Sequence, residues 1–229
     1  MKPLVVIRPQ PGNAATVAAA RALGLDVRGF ALFAVRPVDW SPPPPDSFDA
    51  ILLGSANAVR HAGPALAAYR GKPAYAVGAA TGEAARAAGL DVLAAGAGGI
   101  AAVLPALRSG HCRLLRLAGR ERVALTPPPG ASIRERVVYA SEPLPLPPPL
   151  AELLERPAVV MLHSAEAARH FSRLCDGHGI RRGRIALAAL GPRVAHAAGE
   201  GWAALAAAAT PDETALLALA RQMCQNRGG

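Results

Sequence analysis

The sequence is poor in cysteine, and its few cysteines form no motif. It has three, Cys112, Cys175 and Cys224, with no C-x-x-C pair. Such an odd and sparse set excludes a disulfide framework and favours a reduced compartment, so we expect free thiols and a cytoplasmic location. Cys175 lies close to His178, but no second pair follows to complete four ligands. The sequence therefore predicts no metal site.

Long apolar runs are also missing. The N-terminal apolar run covers only residues 4–7 before Arg8, which is too short for the core of a signal peptide. No other run approaches the roughly 18 apolar residues of a spanning helix. The sequence thus predicts no membrane segment.

The common cofactor motifs are absent as well. The chain has no Walker A lysine motif, no H-E-x-x-H and no G-x-S-x-G. The stretch GAGGIAAVLPAL, from Gly96, has Ala101 where G-x-G-x-x-G ends in glycine, and no acidic residue follows at the expected distance. We interpret this stretch as a turn into a helix. An enzyme with this sequence is expected to need no cofactor.

Aromatic residues make up only 4% of the chain, and lysine occurs only at Lys2 and Lys72 among 25 basic residues. The formal charge is nevertheless +9, carried by scattered arginines. Nucleic-acid modules concentrate basic residues and add aromatic ones for stacking, so we expect no nucleic-acid partner. A small polyanionic ligand fits this charge distribution better.

Short apolar runs bounded by turn residues recur along the 229 residues, 52% of which are hydrophobic. Most of these runs are followed by a segment with helical spacing of alanine and leucine. Near-continuous apolar strands that alternate with helices are typical of parallel sheets buried on both faces. The predicted fold class is α/β. The runs lie at residues 4–7, 49–55, 72–78, 90–96, 112–119, 158–164 and 184–191.

One block of these elements occurs twice. LGSANAVRHA starts at Leu53 and LHSAEAARHF at Leu162, while AVGAATGEAARAAG starts at Ala76 and ALGPRVAHAAGEG at Ala189. The copies lie 109 to 113 residues apart. Alanine-rich sequence also matches itself by chance, but the shared L-x-S-A-x-A-x-R-H pattern favours a duplication. The repeat predicts two similar lobes, each a parallel sheet flanked by helices.

Two proline-dense stretches, RPVDWSPPPPDS and SEPLPLPPPL, flank the first copy. Proline resists both helix and central strand, so these stretches are suited to extended crossings between lobes. We expect lobe one to combine residues 1–34 and 145–229, and lobe two to be an insertion of residues 39–138. The two extended connecting segments would be residues 35–38 and 139–144.

Polar residues collect where the predicted strands end. In open parallel sheets ligands bind beyond the carboxyl ends of the strands, where helix N-termini favour anions. Ser55, Ser164 and Thr81 are also suited to helix capping, and capping alone remains an alternative interpretation. The predicted substrate-binding residues are Arg8, Ser55, Asn57, Gly78, Thr81, Arg116, Ser164, Gly191 and Arg193.

Other polar residues near the repeated turn are weaker candidates for ligand contact. We interpret Arg60 and Arg169 as solvated or packing residues, and His61 and His170 as structural, because they lie within the predicted helices. His163 lies at a strand tip and is a further candidate for ligand contact.

In order and spacing, these motifs resemble the uroporphyrinogen-III synthase family over nearly the whole chain. The resemblance rests on VVIRP, ILLGSANAVR, YAVGAATGEAARAAG, VVYASEP, VMLHSAEAARHF, ALGPRVAHAAGEGW and DETALLALARQMC. It implies two α/β lobes joined by a pair of extended segments. It also implies a cyclising lyase of heme and other porphyrin biosynthesis, which closes hydroxymethylbilane with inversion of ring D, loss of water and a spirocyclic pyrrolenine intermediate. No cofactor is implied.

The resemblance also assigns roles to individual residues. From its position in the returning crossing, Tyr139 is interpreted as an aromatic residue that packs between the lobes. The resemblance adds an alternative, because Tyr139 matches a family tyrosine that is proposed to donate a proton or hydrogen bond to the departing hydroxyl. Thr81 matches a family threonine, whereas the second copy has Val194 at that place. Glu166 replaces a small polar residue, and because a carboxylate would repel a polycarboxylate substrate, we expect it to point away. The Pro-rich segment of residues 121–133 is shorter than the family's helix there, which predicts a missing covering helix.

Two other functional classes stay open at this point. The first alternative is a non-catalytic bilobed protein that binds a small polyanion, and the second is a basic nucleic-acid module. The enzyme interpretation implies hydroxymethylbilane as the substrate of a monomer. It also raises a transient contact with the enzyme that precedes it in the pathway.

Overall fold

The computed structural model describes residues 1–96 and 99–226. The chain divides into two compact units. Unit 1 is formed by Met1–Ala34 together with the chain from Glu142 onward, and unit 2 by Val35–Ser141. Unit 2 is therefore an insertion in unit 1.

Short strands alternate with helices along the chain. The strands are β1 Leu4–Val6, β2 Val27–Gly29, β3 Phe33–Pro37, β4 Ala50–Leu53, β5 Pro73–Val77, β6 Asp91–Gly96, β7 Arg113–Gly119, β8 Ser132–Pro143, β9 Ala158–Leu162, β10 Ile185–Ala189 and β11 Ala204–Ala207. The α-helices are α1 Gly12–Ala22, α2 Ala56–His61, α3 Ala79–Ala87, α4 Pro148–Leu154, α5 Ala165–Gly177, α6 Pro192–Ala198 and α7 Glu213–Gln225. Short 3₁₀ helices cover Pro45–Ser47, Pro64–Tyr69, Ile100–Ala106 and Arg182–Arg184.

Unit 1 is built on a five-stranded sheet in the order β11-β10-β9-β1-β2, and all of its pairs are parallel. Alternate residues of each strand face opposite sides, so Val5 packs with α4, α5 and α6 while Leu4 and Val6 pack with α1 and α7. Both faces of the sheet are thus covered by α-helices. Burial on both faces explains why these strands are apolar throughout.

Unit 2 contains a six-stranded sheet in the order β3-β8-β7-β4-β5-β6, in which β8, β7, β4, β5 and β6 run parallel. One face packs Leu53 and Leu117 against α2 and α3. The opposite face packs Leu52 and Leu114 against the 3₁₀ helix Ile100–Ala106. Among the described residues of unit 2, no α-helix contributes to this second core.

The connection between β7 and β8 explains the uncovered face. Parallel neighbours are normally joined by a crossover that carries a helix. Residues 120–131 contain no helix, in agreement with the sequence expectation. Pro127, Pro128 and Pro129 lack the backbone N–H that a helix would use, and Leu125 from this loop packs on the core instead.

The predicted α/β fold, with parallel sheets flanked by helices, is confirmed. The predicted lobe boundaries stay a prediction. In the glycine-rich stretch, Ala97 and Gly98 lie outside the described residues, and a 3₁₀ helix begins at Ile100. Within residues 1–96 and 99–226, no helix combines the length and apolar character needed to cross a membrane.

Candidate active sites at the strand ends

The repeated turn forms a serine-capped helix start in both units. Ser55 follows β4, and its Oγ accepts a hydrogen bond from the Asn57 N–H at 3.2 Å. Ser164 follows β9, and its Oγ accepts from the Ala167 N–H at 3.1 Å. Both serines are extended in backbone conformation, as N-cap residues are. The capping interpretation of the two serines is therefore correct, and ligand binding by them stays a prediction.

Unit 2 has a pocket of about 230 Å³ at the carboxyl ends of β4 and β7. Three predicted site residues, Ser55, Arg116 and Tyr139, line it together with Gly119 and Arg122. Such a concave site with a few convergent polar groups is typical of ligand binding. Asn57, Gly78 and Thr81 do not belong to its lining.

A shared carboxylate holds two arginines beside this pocket. Arg116 is only 5% exposed, and its Nη1 donates to Glu135 Oε1 at 2.6 Å and to the Val123 carbonyl at 2.9 Å. Arg122 Nε donates to Glu135 Oε2 at 2.8 Å. Burial alone would raise the pKa of Glu135, but the hydrogen bonds and charges of both arginines outweigh it and lower that pKa. Two cations thus share one anion in this cluster, and Glu121 is a second carboxylate among the lining residues of the pocket.

Tyr139 lies in β8, half-buried against the same core as α2. Its ring centroid is 6.2 Å from that of His61, and its carbonyl accepts a hydrogen bond from the Arg120 N–H at 2.9 Å. Among the residues that the structure describes, none makes a hydrogen bond to the Tyr139 hydroxyl. This hydroxyl is therefore available at the pocket as a donor.

The other predicted residues of unit 2 lie at the start of α3. Gly78 precedes the helix with a positive φ of 79°, and its carbonyl accepts from the Thr81 N–H at 3.2 Å. A positive φ is costly for residues with a side chain, which explains the glycine. The Thr81 side chain is buried within the helix and does not cap it. Its predicted substrate contact remains a prediction.

In unit 1, Glu213 at the start of α7 ties together three elements. Its Oε2 accepts from Arg8 Nη1 at 2.9 Å, and its Oε1 accepts from the buried Thr16 hydroxyl at 2.5 Å. His163 Nε2 lies 3.2 Å from Oε2. Burial would raise the pKa of Glu213, but hydrogen bonds from His163 and Thr16, with the charges of His163 and Arg8, bring it down to about 2.

His163 is held tightly at the tip of β9. Its side chain is 9% exposed, and Nδ1 has no hydrogen-bond partner among the described residues. Since a carboxylate only accepts, Nε2 must carry the proton in the contact with Glu213. The histidine thus orients Glu213 and, through it, Arg8.

The remaining polar residues of unit 1 are less constrained. Gly191 begins α6 in an extended conformation, and Arg193 is exposed on the first turn of that helix. Glu166 is exposed and pairs with Arg169 at 3.1 Å, its side chain occupied as a surface ion pair. His170 is buried and contacts the Leu144 carbonyl at 2.8 Å, which supports its structural interpretation.

Sequence reasoning missed Glu135, Arg122, Glu213 and Thr16. The sequence did contain a signal for Glu213, because the preceding Asp212 is a typical N-cap residue after a strand-like run. In the structure Asp212 Oδ1 accepts a hydrogen bond from the Ala215 N–H at 2.9 Å. An N-cap at Asp212 implies that the Glu213 carboxylate lies in the first turn of a helix, at the carboxyl ends of the parallel strands. Across residues 1–96 and 99–226, no cluster of His, Cys, Asp or Glu could hold a metal ion.

These features define an α/β protein of two units whose parallel-strand ends present arginine side chains and serine-capped helix starts. A family model described as uroporphyrinogen-III synthase HemD matches residues 14–218. The chain therefore belongs to the uroporphyrinogen-III synthase family, the cyclising lyases of heme biosynthesis. This finding confirms the resemblance in the sequence and supports the enzyme over the binding protein.

Solved structures show the same fold. Uroporphyrinogen-III synthetase from Helicobacter pylori is similar at a TM-score of 0.63 and 16% identity, over 97% of this chain and 100% of that one. A mutant uroporphyrinogen III synthase from Thermus thermophilus is similar at a TM-score of 0.53 and 19% identity, over 98% and 100%. A search of curated proteins gave no significant match.

Proposed function

We propose that this protein uses the pocket of unit 2 to close hydroxymethylbilane to uroporphyrinogen III with ring D inverted, without a cofactor. The observation that supports this most is the placement of the Tyr139 hydroxyl beside the cluster of Arg116, Arg122 and Glu135. The pocket thus offers a hydrogen-bond donor for a leaving group next to two arginines that can bind a carboxylate.

The first chemical step is loss of the terminal hydroxyl of the bilane. Tyr139 transfers its phenolic proton to this hydroxyl as the C–O bond breaks, so the oxygen leaves as water while the electron pair of the pyrrole nitrogen forms an azafulvenium cation; the proton released at final ring closure restores the tyrosine. The substituted carbon of ring D then attacks this cation and gives the spirocyclic pyrrolenine. Fragmentation and reclosure at the other carbon, with loss of a proton, complete the inverted ring.

Binding rather than acid strength is the main contribution of the protein. Because the bilane loses water readily and closes by itself to the uninverted type I isomer, the protein must hold the chain so that ring D reacts through its substituted carbon. Charged hydrogen bonds from arginine to carboxylates suit this task. We assign it to Arg116 and Arg122 in unit 2 and to Arg8 in unit 1, with the helix starts at Ser55, Ser164 and Gly191 as further donors.

We propose a cytoplasmic monomer that takes hydroxymethylbilane from the preceding enzyme by transient contact. Asn57, Gly78, Thr81 and Arg193 are proposed as further substrate contacts.

The test is a product analysis. Freshly generated hydroxymethylbilane is supplied to the purified, metal-free protein, and the oxidised porphyrins are separated by isomer. A dominant type III product is expected. Type I alone, at the spontaneous rate, would overturn the proposal and favour a polyanion-binding protein.

A further inference from the structure

Tyr139 occupies its position because the pairing of β7 and β8 shifts by one residue. Ala118 lies opposite Val137, but Gly119 lies opposite Tyr139, so Val138 has no counterpart in β7. In a regular strand, neighbouring side chains point to opposite faces. Val138 and Tyr139 instead both pack against the core that contains α2. An extra residue of this kind redirects a side chain.

Backbone hydrogen bonds secure both residues of the shift. The Val138 carbonyl accepts from the Val38 N–H at 3.0 Å, and the Tyr139 carbonyl accepts from the Arg120 N–H at 2.9 Å. These hydrogen bonds fix the backbone of both residues. They do not fix the orientation of the Tyr139 ring.

Gly119 leaves the space in which that ring lies. A Cβ atom on Gly119 would be 2.7 Å from Cζ, 2.8 Å from Cε2 and 2.9 Å from the hydroxyl oxygen of Tyr139. These distances are well below ordinary van der Waals contact, so the ring would have to move. Gly119 is not among the glycines with positive φ, so its backbone does not require glycine.

We propose that Gly119 is a positioning residue for the ring-inverting reaction, because its lack of a side chain allows the Tyr139 hydroxyl to reach the departing group. This inference rests on the proposed function and on the role of Tyr139 in it. In this role Gly119 acts through the tyrosine ring and not directly on the reacting atoms.

The experiment is a Gly119→Ala substitution in the full chain. Displacing a reacting group by about 1 Å can cost about a hundredfold in rate, so we expect kcat to fall by at least about tenfold with KM within about threefold of wild type. With enzyme in excess over bilane, the type III fraction should also fall. That fraction does not depend on how much protein is folded, provided the folded part remains in excess, so it separates positioning from stability.

A double-mutant cycle tests whether Gly119 acts through Tyr139. If it does, Gly119→Ala adds little further loss of kcat in a Tyr139→Phe background. Independent losses that multiply would overturn the inference, and so would a Tyr139→Phe enzyme with wild-type turnover. The matched control is Gly110→Ala, because a Cβ there would meet no atom within 4 Å and its φ is not positive.

Folding failure has its own test. If Gly119→Ala does not fold, Tyr139→Ala is added to remove the ring, and recovered folding would support the contact while continued failure would overturn it. A wild-type protein that yields only type I would overturn the proposed function itself. Wild-type type III formation with an unimpaired Gly119→Ala variant would overturn this inference alone.

Discussion

Unit 1 and unit 2 repeat the same capped turn but hold their cations differently. In unit 1 Glu213 balances Arg8 and also binds Thr16 and His163. In unit 2 one carboxylate, Glu135, serves two arginines. Neither glutamate belongs to the repeated turn. The repeat therefore preserves the helix start, while the local charge is set by elements outside it.

The two sheets differ in the same way. Each unit repeats parallel strands, and the sheet of unit 1 has α-helices on both faces. In the part of unit 2 that the structure describes, one face packs against a 3₁₀ helix and the proline-rich loop and has no α-helix. We infer that unit 2 has the more deformable core. Substitutions in each unit can test this contrast between the cores and the contrast in charge.

Core truncation should affect unit 1 more than unit 2. Leu187 in β10 and Leu114 in β7 are both fully buried. Leucine to alanine costs about 2–5 kcal/mol, less where the surroundings can collapse, so we expect Leu187→Ala near the top of this range and Leu114→Ala near the bottom. Urea unfolding gives both values.

Each unit contains one of the two tryptophans, Trp202 in unit 1 and Trp40 in unit 2. In a Trp202→Phe background the remaining Trp40 reports the unfolding of unit 2 by fluorescence. In a Trp40→Phe background the remaining Trp202 reports the unfolding of unit 1. Equal losses for Leu187→Ala and Leu114→Ala would contradict the difference between the cores.

Tyr139→Phe should separate a chemical role in unit 2 from binding roles. Losing one hydrogen-bond donor to the leaving group predicts a kcat lower by about ten- to a hundredfold, with little change in KM. Steady-state cyclisation with isomer analysis measures this. Turnover at the wild-type level would assign Tyr139 to packing alone.

Arg8→Gln should act on binding instead. Losing one charged hydrogen bond to a substrate carboxylate predicts a KM about tenfold higher at nearly unchanged kcat. The loss also leaves Glu213 unbalanced, so a double variant of Arg8→Gln and Glu213→Gln should recover part of the affinity. Arg21→Gln, an exposed change at the end of α1, is the control. A fall in kcat rather than a rise in KM would contradict the binding role.

The smallest effects concern acid stability. The pKa of Glu213 in unit 1 is lowered to about 2, and so is that of Asp49 in unit 2. The first cause for Asp49 is its hydrogen bond with Arg113, at 2.6 Å. A carboxyl whose pKa is lowered by folding stabilises the protein above its unfolded pKa, and this contribution disappears as the pH falls toward the folded value.

We therefore expect Glu213→Gln and Asp49→Asn to lower stability above about pH 4.5 by about 1 kcal/mol each, after allowance for solvent screening. Both differences should vanish toward about pH 2. Acid titration with the two tryptophan reporters should place the first change in unit 1 and the second in unit 2. A difference that persisted at pH 2 would mean that charge is not its cause.

The parts of this structure that depend on neighbours in sequence could be predicted. Ser55 and Ser164 cap helices in their own turns, and the apolar runs became buried parallel strands, since both signals lie within a few residues. The proline-rich loop without a helix follows from the missing N–H groups for the same reason.

The charge partners could not be predicted, because they depend on register and long-range packing. Glu135 meets Arg116 only because β8 pairs with β7 in that register, and Glu213 meets Arg8 across 205 residues. The extra residue at Val138 was also hidden, since an alternating pattern does not show where pairing shifts. Tyr139 was predicted by resemblance, while its support by Gly119 required the structure.

The insertion of unit 2 into unit 1 also sets an order of assembly during synthesis. All of unit 2 emerges from the ribosome before β9, whereas β1 must wait for β9, with which Leu4 pairs through Val159. Domains tend to fold as they are completed, and contacts distant in sequence form late. We therefore expect the nascent chain to hold a finished unit 2 while the edge of β1 stays open, which makes that strand the point most exposed to pairing with other chains.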